Sequence, residues 1–297
     1  MKGDIKMNNN DIIEKIRLGL LEELKIYNVE SVSFVNRIKR NSVIKNGFEI
    51  KLQNKNIVPC IYFDEKIPIK ENDIDRFILD MKMKFIESME VSDIIDVSGI
   101  DADTIYKISY AFLINYDKNQ EILENVIYKR FLNLAIVIKC RMTGNIDVDI
   151  SFNKDMLEHF NIDEDKLFKC AINNTTVENG LIFEPLLSFI NMINPSFIPD
   201  TYDDDNTLYV LSNKDLLFGA TAICNENILK FVYNHLDEPY YIILSSINEA
   251  LIIPESRMIG HDETKYMIQA INEAIVSNEE YLSDELYYYN GTEVSVL

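Results

Sequence analysis

Hydrophobic residues recur at helical spacing near the start of the chain. Over residues 10–27 the apolar positions fall three and four residues apart, which is the period of one helix face. These positions are Ile12, Ile13, Ile16, Leu20, Leu21 and Leu24. The same spacing over residues 71–89 predicts a second amphipathic helix. Between the two helices, β-branched and aromatic residues predict three strands. The strands cover Val29–Ile38, Val43–Gln53 and Ile57–Phe63.

Strand patterns and helix patterns alternate through the rest of the chain. A sheet region is predicted from Thr104–Asn115, Leu132–Arg141 and Ile146–Phe152, and residues 153–195 read as helices and loops. The order strand, strand, helix then occurs twice. Its first copy covers Leu208–Asn213, Leu217–Cys224 and Glu226–Leu236, and its second copy covers Tyr240–Ser245, Glu249–Ile253 and Glu263–Ile275. These patterns predict an α+β fold of antiparallel sheets with helices packed on one face, whose C-terminal part is built of two ββα units.

Prolines and an acidic run interrupt the patterns near residue 200. Pro195 and Pro199 precede the run Asp203-Asp204-Asp205, and such residues are typical of a boundary between structural parts. We therefore expect three parts. They are an N-terminal α+β part over residues 7–152, a helical connector over residues 153–199 and an acidic C-terminal ββα–ββα part over residues 205–297.

Charge is distributed unevenly along the chain. The 297 residues include 29 Lys and Arg and 49 Asp and Glu, for a net charge of −20. Residues 1–150 carry a net charge of −2, and residues 151–297 carry −18. The acidic half should repel nucleic acid and anionic lipid, because both need Lys or Arg partners. No apolar run approaches the roughly 18 residues that span a bilayer. We expect a cytoplasmic protein that binds neither nucleic acid nor membranes directly.

The four cysteines are scattered among apolar neighbours. Cys60, Cys140, Cys170 and Cys224 form no C-x-x-C pair, so the sequence shows neither a zinc knuckle nor a redox motif. Buried, reduced thiols are the expected outcome, which agrees with a reducing cytoplasm.

Catalytic motifs are missing from the sequence. It contains no P-loop, no G-x-G-x-x-G, no G-x-S-x-G elbow and no H-E-x-x-H helix. There are only three histidines, although histidine is the commonest general acid or base. The sequence therefore favours a protein that is not an enzyme and uses no cofactor.

Clustered carboxylates nevertheless allow an alternative. Asp147 and Asp149 alternate along a predicted strand, Asp203–Asp205 form the densest acidic run, and His261 precedes a helix. Oxygen ligands of this kind suit a hard divalent cation. The same patterns are also typical of the wet face of an antiparallel strand and of a solvated linker. The alternative function is a metal-dependent hydrolase that uses the clustered Asp residues.

Polar residues gather at one predicted strand–strand junction. These are Ser245, Ser246, Asn248 and Glu249. They could bind a small ligand, which would make the chain a ligand sensor, or they could satisfy backbone groups of the turn. Both interpretations stay open at the level of sequence.

Several segments resemble a known family. They are INYDKNQEIL (114–123), FLNLAIVI (131–138), LYVLSN (208–213), FGATAI (218–223), YIILSSINEALIIP (241–254) and YLSDELYYYN (281–290). The family is catalogued as a domain of unknown function, from anaerobic Gram-positive bacteria of gut type and their mobile elements, and the resemblance extends roughly from Asn10 to Asn290. It implies that a histidine often precedes the glutamate of the SSxxE string, where this chain has Asn248. It implies no established activity, substrate or cofactor.

These observations favour a non-catalytic interaction protein whose acidic C-terminal half docks on a basic protein partner. The setting in mobile elements suggests an inhibitor of a nucleic-acid-binding or defence protein, with carboxylates in place of phosphates. The candidate partner-binding residues are Asp203, Asp204, Asp205, Glu279, Glu280, Asp284 and Glu285.

Overall fold

The computed structural model describes residues 9–53, 58–63, 71–92, 101–142, 148–196 and 208–297. These residues form helices and three antiparallel sheets, so the α+β class is confirmed. The chain divides into two compact units. The first contains residues 1–39, 43–99 and 142–148, and the second contains residues 40–42, 100–141 and 149–297. The division into parts at 7–152, 153–199 and 205–297 stays a prediction.

The first unit combines two helices with one small sheet. The helices are α1 (Asn9–Glu23) and α2 (Glu71–Ser92), and the strands, in the order β1-β2-β3, are β1 (Val29–Ile38), β2 (Ile44–Leu52) and β3 (Cys60–Phe63). All five elements were predicted from the sequence. Apolar residues from both helices and the sheet form one core, in which Ile16, Leu20, Ile50 and Phe85 are fully buried.

The second unit contains a four-stranded sheet and a six-stranded sheet. In the smaller sheet β6 (Leu134–Met142) pairs with β4 (Ser109–Asn115), β5 (Tyr128–Phe131) and β7 (Val148–Ser151). The larger sheet has the order β13-β12-β10-β11-β9-β8. Its strands are β8 (Leu181–Pro185), β9 (Tyr209–Asn213), β10 (Tyr240–Ile243), β11 (Ala250–Pro254), β12 (Leu286–Tyr289) and β13 (Val294–Val296).

Helices and apolar side chains connect the two sheets of this unit. The helices are α3 (Ala102–Ile108), α4 (Gln120–Leu123), α5 (Lys154–His159), α6 (Glu164–Asn173), α7 (Leu186–Ile193), α8 (Glu226–Leu236) and α9 (His261–Ala274). One core contains residues from both sheets, among them Leu113, Ile138, Leu211 and Ile242, each at most 2% exposed. Cys140 lies in this core as predicted, whereas Cys60, Cys170 and Cys224 are only partly buried.

Two predicted strands are wrong in whole or in part. The segment Thr104–Asn115 begins as helix α3, because Asp101 caps that helix by accepting a hydrogen bond from the N–H of Thr104 at 2.8 Å. The segment Leu217–Cys224 contains a 3-10 helix over Gly219–Cys224. A continuous apolar run of this length is buried on all sides, and its pattern alone does not distinguish a strand from a helical turn.

Two further details concern α9 and the C-terminal strands. The cap of α9 is Gly260, and Asp262 lies in the first turn of the helix. The C-terminal segment contributes β12, which lies between β10 and β13 and is therefore not an edge strand. Leu286, Tyr287 and Tyr289 of this strand are at most 1% exposed and belong to the apolar cores of the unit.

Side chains cover the free edge of β4. A π-helix over Asn174–Glu178 follows α6 and presents Thr175 to this edge. Thr175 Oγ1 accepts a hydrogen bond from the N–H of Ala111 at 2.8 Å and lies 3.0 Å from the carbonyl oxygen of Ala111. Asn174 Nδ2 donates to the carbonyls of Tyr106 and Ser109, each at 2.8 Å. These bonds satisfy backbone groups that an unpaired strand would leave open.

Candidate functional site

The turn between β10 and β11 holds the predicted ligand-binding residues. Ser246 Oγ donates a hydrogen bond to Glu249 Oε1 at 2.6 Å and accepts one from the N–H of Asn248 at 3.1 Å. The carbonyl of Ser245 accepts a bond from the N–H of Leu282 at 3.0 Å. The turn is therefore closed by its own side chains, as Ser and Asn often do.

Asn248 connects this turn to three other segments. Its Oδ1 accepts a hydrogen bond from the N–H of Phe218 at 3.2 Å, and its carbonyl accepts one from Ser212 Oγ at 2.8 Å. Its Nδ2 donates to Glu280 Oε1 at 3.2 Å. We call Ser212, Phe218, Ser246, Asn248, Glu249 and Glu280 the turn network. Asn248 contributes to it through hydrogen bonds of its side chain and its carbonyl.

The backbone beside the turn network is strained and close-packed. Phe218 adopts the left-handed region with φ of 61°, which is uncommon for a residue with a side chain. A Cβ atom at Gly219 would lie 2.3 Å from Ser212 Oγ and 2.4 Å from the carbonyl oxygen of Asn248. The approach of the 3-10 helix to the turn thus depends on glycine at this position.

Glu249 is the unusual titratable group of the turn network. Burial raises the pKa of its carboxyl, and the neighbouring Glu280 carboxylate acts in the same direction, whereas the hydrogen bond from Ser246 lowers it. The net effect is a pKa above the ordinary value for glutamate. Glu249 therefore retains its proton to a higher pH in the folded state than in the unfolded state.

This shift predicts a pH dependence of stability. A raised pKa in the folded state contributes stability below the unfolded pKa, and this contribution is lost as pH rises through the folded pKa. Wild-type stability should therefore fall as pH rises from the unfolded pKa through the folded pKa of Glu249. We expect Glu249→Gln to show a smaller fall over this pH range and to be more stable than wild type at neutral pH. The gain should be below about 1 kcal/mol, because solvent screens a partly exposed group. Chemical unfolding at several pH values measures it. Glu273→Gln, at an exposed position, is the control, and equal slopes for wild type and Glu249→Gln would refute the prediction.

Four of the seven predicted partner-binding acids lie among the described residues. Glu279, Glu280, Asp284 and Glu285 are all partly buried. Glu280 belongs to the turn network and also accepts a bond from Ser277 Oγ at 2.8 Å. Asp284 accepts a bond from Asn272 Nδ2 at 2.7 Å, and Glu285 pairs with Lys265 Nζ at 2.9 Å. Asp203, Asp204 and Asp205 lie outside the described residues. A role in partner binding stays a prediction for all seven acids.

Only some of the residues proposed as metal ligands of a hydrolase lie in the described part of the structure. Asp147 and the Asp203–Asp205 run lie outside the described residues, as does the side chain of Asp149. His261 begins α9, and its Nε2 lies 3.0 Å from Tyr241 Oη. Within the part of the chain that is described, no group of three His, Cys, Asp or Glu residues could hold a metal ion. The metal-dependent hydrolase thus stays a prediction without a described ligand set.

An exposed apolar face on α9 was not predicted from the sequence. The helix buries only the stripe of Thr264, Ile268 and Asn272. Outside this stripe the helix exposes Tyr266 (76%), Met267 (41%) and Ile271 (37%), and Ile275 (79%) follows the last turn. We call Tyr266, Met267, Ile271 and Ile275 the α9 outer face. The signal in the sequence is that α9 has more apolar positions than one buried stripe requires.

These features define an α+β protein of two compact units with a hydrogen-bonded turn network and an apolar helix face. A family model described as a family of unknown function (DUF5688) matches residues 10–291. The chain belongs to this family. No curated protein and no solved structure matches the chain. Among the described helices, none combines the length and apolar character that crossing a bilayer requires.

Proposed function

We propose that this chain is a non-catalytic interaction protein whose acidic second half docks on a basic protein partner. The observation that carries the proposal is the α9 outer face. Large apolar side chains in a contiguous exposed patch typically mark an interaction site. In the turn network, by contrast, the polar groups form hydrogen bonds with one another.

The geometry of the α9 outer face suits a helical or extended segment of a partner. Met267 and Ile271 are four residues apart and so lie on one line along the helix, and Ile275 continues this spacing just after the helix ends. Tyr266 lies about 100° further around the helix from Met267. Fully burying an aliphatic side chain is worth roughly 1.5–3 kcal/mol. Tyrosine is enriched among the residues that dominate binding energy, so Tyr266 is the expected anchor.

Charge indicates what kind of segment would bind. Asp262 and Glu263 are exposed in the first turn of α9, and residues 151–297 carry a net charge of −18. A partner that is both apolar and rich in Lys and Arg would be attracted to this surface, and an amphipathic helix presents both features on one side. We therefore propose a basic amphipathic segment as the docked element.

The resemblance to the family implies a setting in mobile elements, and we propose a target that fits it. In mobile elements of Gram-positive anaerobes, a protein with this surface would act in the cytoplasm as an inhibitor of a nucleic-acid-binding or defence protein. Nucleic-acid-binding proteins carry basic surfaces that bind phosphate groups. Carboxylates of this chain would bind to those surfaces in place of the phosphates.

The apolar part of the proposal predicts a large effect of the outer face on binding. A fluorescein-labelled Leu/Lys amphipathic helix is the probe, and fluorescence anisotropy is the readout. Tyr266→Ser with Ile271→Ser should weaken the binding and raise the Kd at least tenfold, because the expected aromatic anchor and one aliphatic contact are lost. Val177→Ser with Met192→Ser is the matched control, since these side chains are also exposed, at 47% and 53%. Equal affinities of the outer-face variant and the wild type would refute the proposed surface.

The electrostatic part predicts a salt dependence. Affinity for the same peptide should fall steeply as salt is raised, because exposed charges are screened over about 10 Å at 0.1 M ionic strength. Asp262→Asn with Glu263→Gln should make the fall shallower. A wild-type affinity that is the same at low and high salt would contradict docking through charge.

Capture of a host protein by the wild type but not by the outer-face variant would then identify the natural partner.

A further inference from the structure

A polar cleft of about 770 Å³ lies in the second unit beside α9. This volume falls in the range of small-molecule sites, roughly 300–1,000 Å³. The residues that matter for its chemistry are Lys118, Asn272, Glu273, Tyr281 and Asp284. None of them belongs to the α9 outer face.

Hydrogen bonds hold the walls of the cleft in place. Asn41 Nδ2 donates to the carbonyls of Asn278 and Tyr281, each at 2.7 Å. Asn272 Nδ2 donates to the carbonyl of Ser283 at 3.0 Å and to Asp284 Oδ1 at 2.7 Å. The cleft is therefore preformed, which lowers the entropic cost of binding a ligand.

Some residues that line the cleft present acceptors. Glu273 and Asp284 contribute carboxylates. Asn272 is only 6% exposed, and its Oδ1 is buried without a hydrogen-bond partner in the described structure. Buried polar atoms normally have partners, so this oxygen indicates that a donor is missing. An ammonium group offers three donors and a positive charge, which match two carboxylates and an amide oxygen.

Another lining residue, Lys118, presents a cation. Lys118 is exposed, and its Nζ lies 3.6 Å from the centroid of the Tyr281 ring. This ring contact is the interaction that the described structure shows for the Lys118 ammonium, which can therefore donate hydrogen bonds to an anionic ligand group. Burial and the hydrogen bond to Asp284 raise the pKa of Tyr281, which keeps this phenol neutral beneath the lysine.

We propose that the cleft binds a small zwitterion, a molecule with one ammonium and one carboxylate, of which free amino acids are the simplest class. Its ammonium would lie against Asn272, Glu273 and Asp284, and its carboxylate would lie against Lys118. This site is independent of the proposed docking function, because it uses other side chains and a different kind of ligand.

Isothermal titration tests the proposal with free amino acids as probes. For the amino acid that binds most tightly, the matching amine without the carboxylate and the matching acid without the ammonium are titrated in parallel. Each analogue should bind at least tenfold more weakly than the zwitterion, because it engages either the carboxylates or the lysine but not both. No binding of any amino acid at millimolar concentration, or equal affinity for the zwitterion and its amine, would overturn the proposal.

Variants assign the two ends of the ligand. Lys118→Gln should weaken the zwitterion at least fivefold and leave the amine unchanged, and Glu273→Gln should weaken the amine and leave the acid unchanged. Both positions are exposed, so the fold should tolerate the changes. Lys230→Gln and Glu226→Gln, from an exposed pair on α8, are matched controls. If Lys118→Gln binds the zwitterion as tightly as wild type, the proposed orientation is wrong. The peptide assay of the α9 outer face should not respond to Lys118→Gln, so the two proposals can fail separately.

Discussion

Gly219→Ala should lower the free energy of unfolding of the second unit by about 3 kcal/mol, a large value for a single added methyl group. The reason is the position of the new Cβ atom. It would lie 2.3 Å from Ser212 Oγ, 2.4 Å from the Asn248 carbonyl oxygen and 2.7 Å from Ser212 Cα. Two of these three atoms belong to the backbone, so they cannot move away by a simple side-chain rotation.

The same substitution should break the hydrogen bond that closes the turn network. Ser212 Oγ and the Asn248 carbonyl are joined at 2.8 Å, and the alanine methyl group would press against both atoms. Ser212 is 1% exposed, so water cannot readily replace the lost bond. An unsatisfied buried polar group typically costs about 1–3 kcal/mol, and this cost adds to the steric one.

Hydrogen exchange of amides in β9 and β10 measures the effect of Gly219→Ala, and exchange of amides in α1 and β1 measures that of the control, because exchange reports on each unit separately. Gly19→Ala is the matched control. Its Cβ atom would meet Ile78 Cδ1 at 2.4 Å, but this atom ends a flexible side chain, and alanine is favoured over glycine in a helix by about 1 kcal/mol. The control should therefore change the stability of its unit by less than about 1 kcal/mol. Equal, small effects of both substitutions would contradict the close approach at Gly219.

Thr175→Val should cost about 2 kcal/mol, although valine has nearly the same shape as threonine. The hydroxyl is the partner of the Ala111 N–H at 2.8 Å, and valine cannot accept that bond. Thr175 is 4% exposed and Ala111 is fully buried, so the backbone N–H would lose its partner inside the protein. The free edge of β4 would then be open at its centre.

The neighbouring threonine supplies the control. Thr176 is also buried, and its Oγ1 donates to the Ile172 carbonyl at 2.7 Å, four residues earlier in the chain. Thr176→Val removes a donor from a carbonyl and leaves no N–H without a partner, so its cost should stay below about 1 kcal/mol. Urea unfolding followed by exchange of the Ala111 amide measures both variants. A cost for Thr175→Val no larger than that for Thr176→Val would show that the edge of β4 does not depend on the Thr175 hydroxyl.

Much of the first unit could be predicted from the sequence alone. The spacing of Ile12, Ile16 and Leu20 predicts a helix, and the same three side chains are buried in the structure. Strand β1 extends from Val29 to Ile38, as predicted. In both cases, neighbours along the chain decide the local structure, and the buried face follows from the period of the pattern.

The candidate sites could be predicted only in part. Polar residues at 245–249 stand out in the sequence, but the contacts of Asn248 with Ser212 and Phe218 join positions 36 and 30 residues apart. No periodic pattern reports such pairs. The cleft illustrates the same point, because Asn41 contacts Tyr281 across 240 residues. Spacing in the sequence says which face of an element is buried, but it does not say which element covers that face.

By itself, the sequence determined the α+β class, most helices and strands, the −18 charge of residues 151–297 and membership in a family without an assigned activity. The tertiary structure decided that Leu217–Cys224 does not form a strand, that Asn248 holds a network together and that α9 keeps an apolar face exposed. The physical reason is that burial of a continuous apolar run, satisfaction of a buried polar group and exposure of a second helix stripe all depend on partners distant in the chain.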